Sequence, residues 1–480
     1  MMPAMPRSLP VRPDVLPHDL AALRQLADQA FSRAAGAPLV GGNAVRILRD
    51  AAENYPAWEA AIEQARSTIH LEMYIVHRDR VGRRFVDLLA RRAREGITVR
   101  VVYDWWGCGT GPLLGLFRPL IKAGGQVRPF NPPTVTTILG WVRRDHRKLL
   151  VVDGRVAYIS GLCIGRMWEG DPTRGTAPWR DTGVEVTGPA VGHAEAAFTE
   201  SWQLTGGRMP RLGGPTVESP EETGSVNLRI IPTEPFTARL LRVDLLATAL
   251  ARRTLWITDA YFIDHGPYLE ALRRTARDGV DVRLLLPQGS DIGWTVPASR
   301  TLYRTLLEAG VRIFEWNGSM IHAKTAVADG RWARIGSSNL NVTSWFGNWE
   351  LDVAIEDATV AGTLAEHYLQ DLSHSTEIVL TGKRRTRSVR GASPRARTRR
   401  AVRSVSGVGS SLGAVVTGSR RLEDFEVLPL VGAGLLLVAV AVLAYLRPVV
   451  LAWPLALLAV WTGLGFLGEA VRLWRSRRHG

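Results

Sequence analysis

The chain has 480 residues, 46% of them hydrophobic and 22% charged, so it can bury a large core, is long enough for roughly two to four domains, and is too apolar to be disordered by composition. Its two cysteines, Cys108 and Cys163, stand outside any Cys-x-x-Cys or Cys/His cluster, which excludes a disulfide scaffold and a structural zinc site and fits a reducing compartment. Of the net charge of +15, residues 383–421 hold twelve Lys and Arg with no acid and residues 422–480 balance to +1, so residues 1–382 carry only +2; no nucleic-acid partner is expected from so neutral a body.

Residues 1–18 are rich in proline and lack an apolar h-region, and read as a flexible arm rather than a signal peptide or anchor. Helical apolar rhythm runs over residues 20–34 and 55–66, and residues 68–76 read as a strand, opening an alternation that predicts the α/β class. The alternation then repeats. Residues 69–103 and 255–286 each give strand, helix, a glycine (Gly96 or Gly279) and strand; KAGGQVRPFN from Lys122 answers EAGVRIFEWN from Glu308; HRKLLVVDG from His146 answers HAKTAVADG from His322. These echoes in the same order, about 180 residues apart, mark a tandem duplication, with a first repeat at 19–212 and a second at 213–382.

Behind the second repeat the composition changes. Residues 383–421 read as a flexible basic linker. Residues 427–446 and 449–468 are uncharged runs separated by Arg447 and Pro448, each at the length of about 20 residues that spans a hydrocarbon core; a buried hairpin in a soluble core is the rival reading. Arginines before the runs and in the basic tail, residues 469–480, place the body and both termini on the cytoplasmic side of the cell membrane.

The chemistry sits in His-x-Lys-x4-Asp, present twice: His146, Lys148 and Asp153, then His322, Lys324 and Asp329. The chance expectation for this spacing is about 0.004 copies. Of only four lysines in the chain, two fall in these motifs, which argues that a compact ammonium is wanted there rather than a guanidinium fork. His and Lys two apart on a strand share a face, and the Asp-Gly that follows favours a hairpin turn, so Asp153 and Asp329 are read as shaping that turn. Each histidine also has a carboxylate further on, Asp181 after His146 and Glu350 after His322, opening matched strands. A carboxylate holding the imidazole Nδ1 proton would leave Nε2 free to attack.

Two HxKxxxxD motifs in a duplicated α/β chain, the second followed by Gly336, Ser337 and Asn339, resemble the phospholipase D superfamily. The stretches YPAWEAAIEQARSTIHLEMYIV, WRDTGVEVTGPAV and MIHAKTAVADGRWARIGSSNLN are similar to bacterial cardiolipin synthases. The resemblance covers residues 36–378. It implies paired α/β/α sandwich repeats in a bilobal body, with one site between them formed by His146, Lys148, Asp153, His322, Lys324 and Asp329 and working without cofactor or metal. One histidine, His146 by family usage, would attack phosphorus while the other protonates the leaving group. Lys148, Lys324, Ser337 and Asn339 would stabilise charge on the phosphate oxygens.

The implied reaction is transfer of a phosphatidyl group from one phosphatidylglycerol to another, with an anionic phospholipid membrane as partner. Rival readings are a hydrolase of the same fold giving phosphatidic acid, a phosphodiesterase acting on nucleic acid, and a catalytically dead membrane scaffold, which two intact HxK pairs oppose. One departure stands out: opposite Asn339 the first repeat has Cys163, a weak hydrogen-bonding partner.

Overall fold

The structure, a computed structural model, describes residues 17–132, 143–209, 221–264, 266–380, 419–421 and 460. The first half runs α1 (Pro17–Ala35), β1 (Val40–Arg49), α2 (Asp50–Gln64), β2 (Thr68–Met73), α3 (Arg80–Arg94), β3 (Thr98–Asp104), α4 (Arg118–Lys122), β4 (Gln126–Phe130), β5 (Lys148–Val152), β6 (Val156–Ser160), α5 (Arg166–Glu169), β7 (Thr182–Thr187) and α6 (Val191–Leu204). The second half repeats the plan from β1 onward. It runs β8 (Val226–Thr233), α7 (Arg239–Leu250), β9 (Thr254–Thr258), α8 (Pro267–Arg277), β10 (Asp281–Pro287), α9 (Thr295–Glu308), β11 (Arg312–Trp316), β12 (Thr325–Ala328), β13 (Trp332–Gly336), α10 (Val342–Phe346), β14 (Glu350–Glu356) and α11 (Ala358–Leu372), then adds β15 (Ser375–Val379).

The strand order is β16-β15-β11-β10-β9-β12-β13-β14-β8-β1-β7-β6-β5-β2-β3-β4, with β16 at Ser419–Arg421. Each half pairs parallel strands at its outer part and antiparallel strands toward the middle. The antiparallel β1–β8 pair makes one mixed sheet of the two halves, so the two repeats form one body.

The expected α/β/α layering follows from alternation along the strands. In β5, Leu150 and Val152 join the core under α2 and α3, while Leu149 and Val151 face the core under α6. That second core also takes Val353 and Ile355 of β14 and Leu364 of α11, so it belongs to both halves. Local rules set the elements. In α3, Asp79 caps the N-terminus by accepting from the Val81 and Gly82 amides, and Val81, Phe85, Leu88 and Leu89 put one stripe inward.

Three sequence expectations shift at their edges. The strand expected over 68–76 stops at Met73, opposite Lys148 where its antiparallel partner β5 begins, and Tyr74 just beyond it places its ring 4.8 Å from that of His146. The arm expected over 1–18 gives way to helix at Pro17; the remainder lies outside the described residues. The end of the proposed linker, Ser419–Arg421, pairs in parallel with β15, whose free edge offers unpaired backbone groups. The two apolar runs at 427–446 and 449–468 lie outside the described residues, Val460 apart. Among the described residues no helix is long and apolar enough to cross a membrane.

Candidate active site

His146 and His322 line one cavity of about 730 Å³. Each arrives there through a short backbone bridge to the other half. The His146 amide donates to the Trp349 carbonyl (2.8 Å), and the Trp349 amide to the Arg144 carbonyl (2.9 Å); the His322 amide donates to the Arg180 carbonyl (2.7 Å), and the Arg180 amide to the Met320 carbonyl (2.8 Å). The motif that precedes each central strand is thus stitched to the segment that precedes the last paired strand of the opposite repeat.

This stitching reverses the expected order of carboxylates. His146 Nδ1 is 2.8 Å from Glu350 Oε2, and His322 Nδ1 is 2.7 Å from Asp181 Oδ2. Each imidazole is therefore oriented by a carboxylate from the other half, and not by the one that follows it in the chain. With Nδ1 engaged, Nε2 is the nitrogen left for the cavity that both rings line.

The two imidazoles and the two carboxylates that hold them are almost entirely removed from water. Burial outweighs the neighbouring Glu350 and pushes His146 down to about 4. Burial and the Lys324 ammonium bring His322 down to about 4 as well. Both rings are therefore neutral at pH 7. Burial opposes ionisation of Glu350 and Asp181, yet the attached His146 and His322 hold both carboxyls below their ordinary range. Lys324 is pulled down to about 8 by burial. The lysine side chains lie on the histidine face, as the period of two requires, and fold back: Lys148 Nζ donates to the His146 carbonyl (2.5 Å), and Lys324 Nζ to the His322 carbonyl.

Aromatic rings complete the walls. Lys148 Nζ sits 5.0 Å from the Tyr74 ring centre and Lys324 Nζ 5.7 Å from that of Tyr261, while Trp168 and Trp179 flank His322 at 5.7 and 5.5 Å. Sequence reasoning missed Tyr74 and Tyr261. Their signal was present, since each follows the second strand of its half, β2 or β9, by one to three residues, but an aromatic past a strand end is usually core.

The remaining motif residues divide. Asn339 lines the cavity, and its buried Oδ1 has no protein partner, which leaves that amide for a bound molecule. Ser337 does not reach the cavity in the way expected: its hydroxyl donates to Glu350 Oε2 (2.6 Å) and accepts from the Leu351 amide (2.9 Å), so it braces the carboxylate. Asp153 and Asp329 are not with the histidines at all. Asp153 is five residues beyond Lys148, about 17 Å along the strand, where it accepts from the Arg66, Ser67 and Thr68 amides; Asp329 does the same for Arg252, Arg253 and Thr254. Both have positive φ, 55° and 53°, as the Asp-Gly turn demands. Their carboxyls lie below the ordinary range because these amides overcome partial burial. Among the described residues no group of three or more His, Cys, Asp or Glu could hold a metal ion.

Residues 246–372 match the family model described as cardiolipin synthase, phospholipase D-like domain. The chain is 32% identical to a cardiolipin synthase of Halalkalibacterium halodurans over 363 residues, covering 74% of this chain and 71% of that one. It is 33% identical to a cardiolipin synthase of Alkalihalophilus pseudofirmus over 350 residues, covering 71% and 68%. The chain belongs to the cardiolipin synthase family of the phospholipase D superfamily. Among solved structures, the phosphatidylserine synthase of Haemophilus influenzae shares the fold at a TM-score of 0.54 and 16% identity, over 73% of this chain and 91% of that one.

Proposed function

We propose that this family member moves a phosphatidyl group from one phosphatidylglycerol to the primary hydroxyl of a second, releasing glycerol and forming cardiolipin. The observation that carries the reading is the crossed pair of buried histidines, each held at Nδ1 by the opposite half, in one cavity whose walls are largely aromatic and aliphatic.

Neutral His146, oriented by Glu350, attacks phosphorus through Nε2. His322, oriented by Asp181, protonates the departing glycerol oxygen and then takes the proton of the incoming hydroxyl. That acid must be charged, although burial and Lys324 by themselves keep it neutral at pH 7. The phosphodiester anion supplies the missing term: a negative charge brought between the rings favours an imidazolium, so substrate binding draws in the proton that the leaving group consumes. The Lys148 and Lys324 ammoniums beside the two rings, with the Asn339 amide in the cavity wall, favour the charge on the phosphate oxygens, where fixed charges and donors act most strongly in a dry site. The apolar walls keep water from resolving the phosphohistidine before a lipid hydroxyl arrives. The protein works at the cell membrane, where its lipid substrates are.

Phosphatidylglycerol vesicles test the reading. Cardiolipin and free glycerol should form in equal amounts, with little phosphatidic acid, at a rate unchanged by a chelator because the two lysines carry the positive charge of the site. Phosphatidic acid as the main product at every lipid density would replace the transferase with a hydrolase.

A further inference from the structure

The cavity opens through an apolar rim. Trp294, Val342 and Phe346 line it and are also exposed, Trp294 at 65%. Beside them stands Phe236, 70% exposed, whose amide donates to the Phe346 carbonyl (3.1 Å). Phe236 has a φ of 67°, a conformation that a bulky side chain adopts only at a cost. The chain accepts that cost to hold an aromatic ring out in water. The Arg143 guanidinium lies 4.9 Å from the centre of the same ring, putting a cation on the rim.

The first half carries a counterpart of this rim. The segment that leaves β3 is topologically equivalent to the one that leaves β10 and carries Trp294, and it exposes Trp106 and Leu113. Elsewhere, exposed apolar side chains such as Leu26, Leu204 and Leu369 sit singly on helices. An apolar cluster concentrated around a cavity mouth marks an interaction surface. Tryptophans and phenylalanines beside an arginine match the chemistry of an anionic bilayer surface: apolar groups enter the acyl boundary and the cation stays among the phosphates.

We propose that Phe236, Trp294, Val342 and Phe346, together with Trp106 and Leu113 on the equivalent segment of the first half, form a lip that enters the surface of an anionic phospholipid bilayer and presses the cavity against it. The lip deepens the proposed function and rests on lipid being the substrate. A lipid then passes from bilayer to cavity without its acyl chains crossing water, and any anchor outside the described residues would only tether the body.

The two native cysteines are buried, so a single introduced thiol can be labelled in the full chain. A polarity-sensitive dye on Phe236→Cys should shift to the blue on phosphatidylglycerol vesicles and be quenched by lipids brominated on their acyl chains. The same dye on Arg331→Cys, at the far turn of the β12–β13 hairpin, should not respond. Equal response at both sites, or none at 236, overturns the lip; a 236 label already shielded before lipid is added means that a second copy of the chain covers this face instead. In parallel, Phe236→Asn suits the positive φ and removes the ring. Turnover on vesicles should fall about tenfold while turnover of a short-chain monomeric phosphatidylglycerol is kept; an equal fall on both substrates would also overturn the proposal. A label that enters the bilayer in a protein that makes no cardiolipin would leave the lip standing and defeat the proposed reaction.

Discussion

Around His146 the orienting carboxylate is Glu350, which also accepts from Ser337 Oγ (2.6 Å) and Asn348 Nδ2 (3.2 Å); around His322 it is Asp181, which accepts from Trp168 Nε1 (3.0 Å) and the Thr182 amide (2.8 Å). The two half-sites share a backbone plan, since the Ser337 amide donates to the Leu351 carbonyl as the Gly161 amide donates to that of Thr182. They differ by one methylene in the carboxylate and by one side chain beside it. A Cβ on Gly161 would lie 2.2 Å from Asp181 Oδ1, so the shorter acid occupies the space that serine fills in the other half. Ser337 with Glu350 and Gly161 with Asp181 are therefore matched pairs, and the missing polar group of the first repeat is compensated by the indole of Trp168. What remains unequal is what lines the cavity: the Asn339 amide on one side and the Cys163 thiol, kept protonated by burial, on the other.

The sharpest way to break the comparison is to remove one histidine at a time. His146→Ala and His322→Ala should each lower kcat/KM by about 10³-fold or more, because attack and protonation act in series on one phosphorus. The halves should then differ in what accumulates. With labelled phosphatidylglycerol, His322→Ala should trap lipid on the protein through slow attack by His146, and His146→Ala should trap none. The reverse pattern would exchange the two roles while keeping the single site.

The carboxylates come next. Glu350→Gln and Asp181→Asn should each cost about 10²-fold in turnover, the lower end of what acid–base positioning contributes. Nitrogen-15 NMR of the imidazoles gives the discriminating result: Glu350→Gln should perturb the Nδ1 resonance of His146 and spare His322, and Asp181→Asn should do the opposite. Pairing within each half would give the reverse assignment. Gly161→Ser should behave as a weaker Asp181→Asn, since the new Cβ displaces that carboxylate.

Much of this was legible in the sequence, for reasons that can be located. The duplication, the α/β class and the shared face of His and Lys follow from local periodicity, which acts within a few residues. The carboxylates Asp181 and Glu350 were found because each opens a matched strand. Their crossing was not, because nothing in a linear sequence says that residue 146 meets residue 350 rather than 181; it follows from the parallel bridges Asp145 to Trp349 and Arg180 to Ile321. The small net charge of residues 1–382 also concealed a local excess. A groove along α3 is lined by eight arginines and four acids, several already paired, as Arg84 is with Glu59 and Glu169. Charge totals cannot show where charges gather.

Acid should expose both halves together. An unfolded histidine titrates near 6.5, whereas the buried rings titrate at about 4. Below pH 6.5 the unfolded chain therefore binds protons that the folded chain refuses, and stability is lost progressively as pH falls toward 4, by up to roughly 3 kcal/mol per histidine. Glu350 and Asp181, held low by their partners, add to the loss in the same direction. Denaturant titrations at pH 7.5 and 5 should show the difference, and His322→Gln should reduce it by about half; a midpoint independent of pH would mean that the folded rings titrate as they do in the unfolded chain, and a midpoint that rises in acid that they are already charged when folded.

The smallest effect on turnover is expected from the residue that gives the motif its final letter. Asp153 lies about 17 Å along the strand from Lys148 and spends its carboxylate on the amides of Arg66, Ser67 and Thr68, tying the β5–β6 turn to the start of β2. Asp153→Asn keeps one acceptor oxygen and tolerates the positive φ, but loses the charge and one of the two oxygens that accept amides. Stability should drop by about 1–2 kcal/mol, and kcat per folded molecule should stay within twofold of the parent. Asp329→Asn should match it, because Arg252, Arg253 and Thr254 repeat the arrangement. A turnover loss in either variant that exceeds its loss of folded protein would show that the hairpin turn communicates with the histidine at its other end, and the division drawn between the motif's chemistry and its scaffold would have to be redrawn.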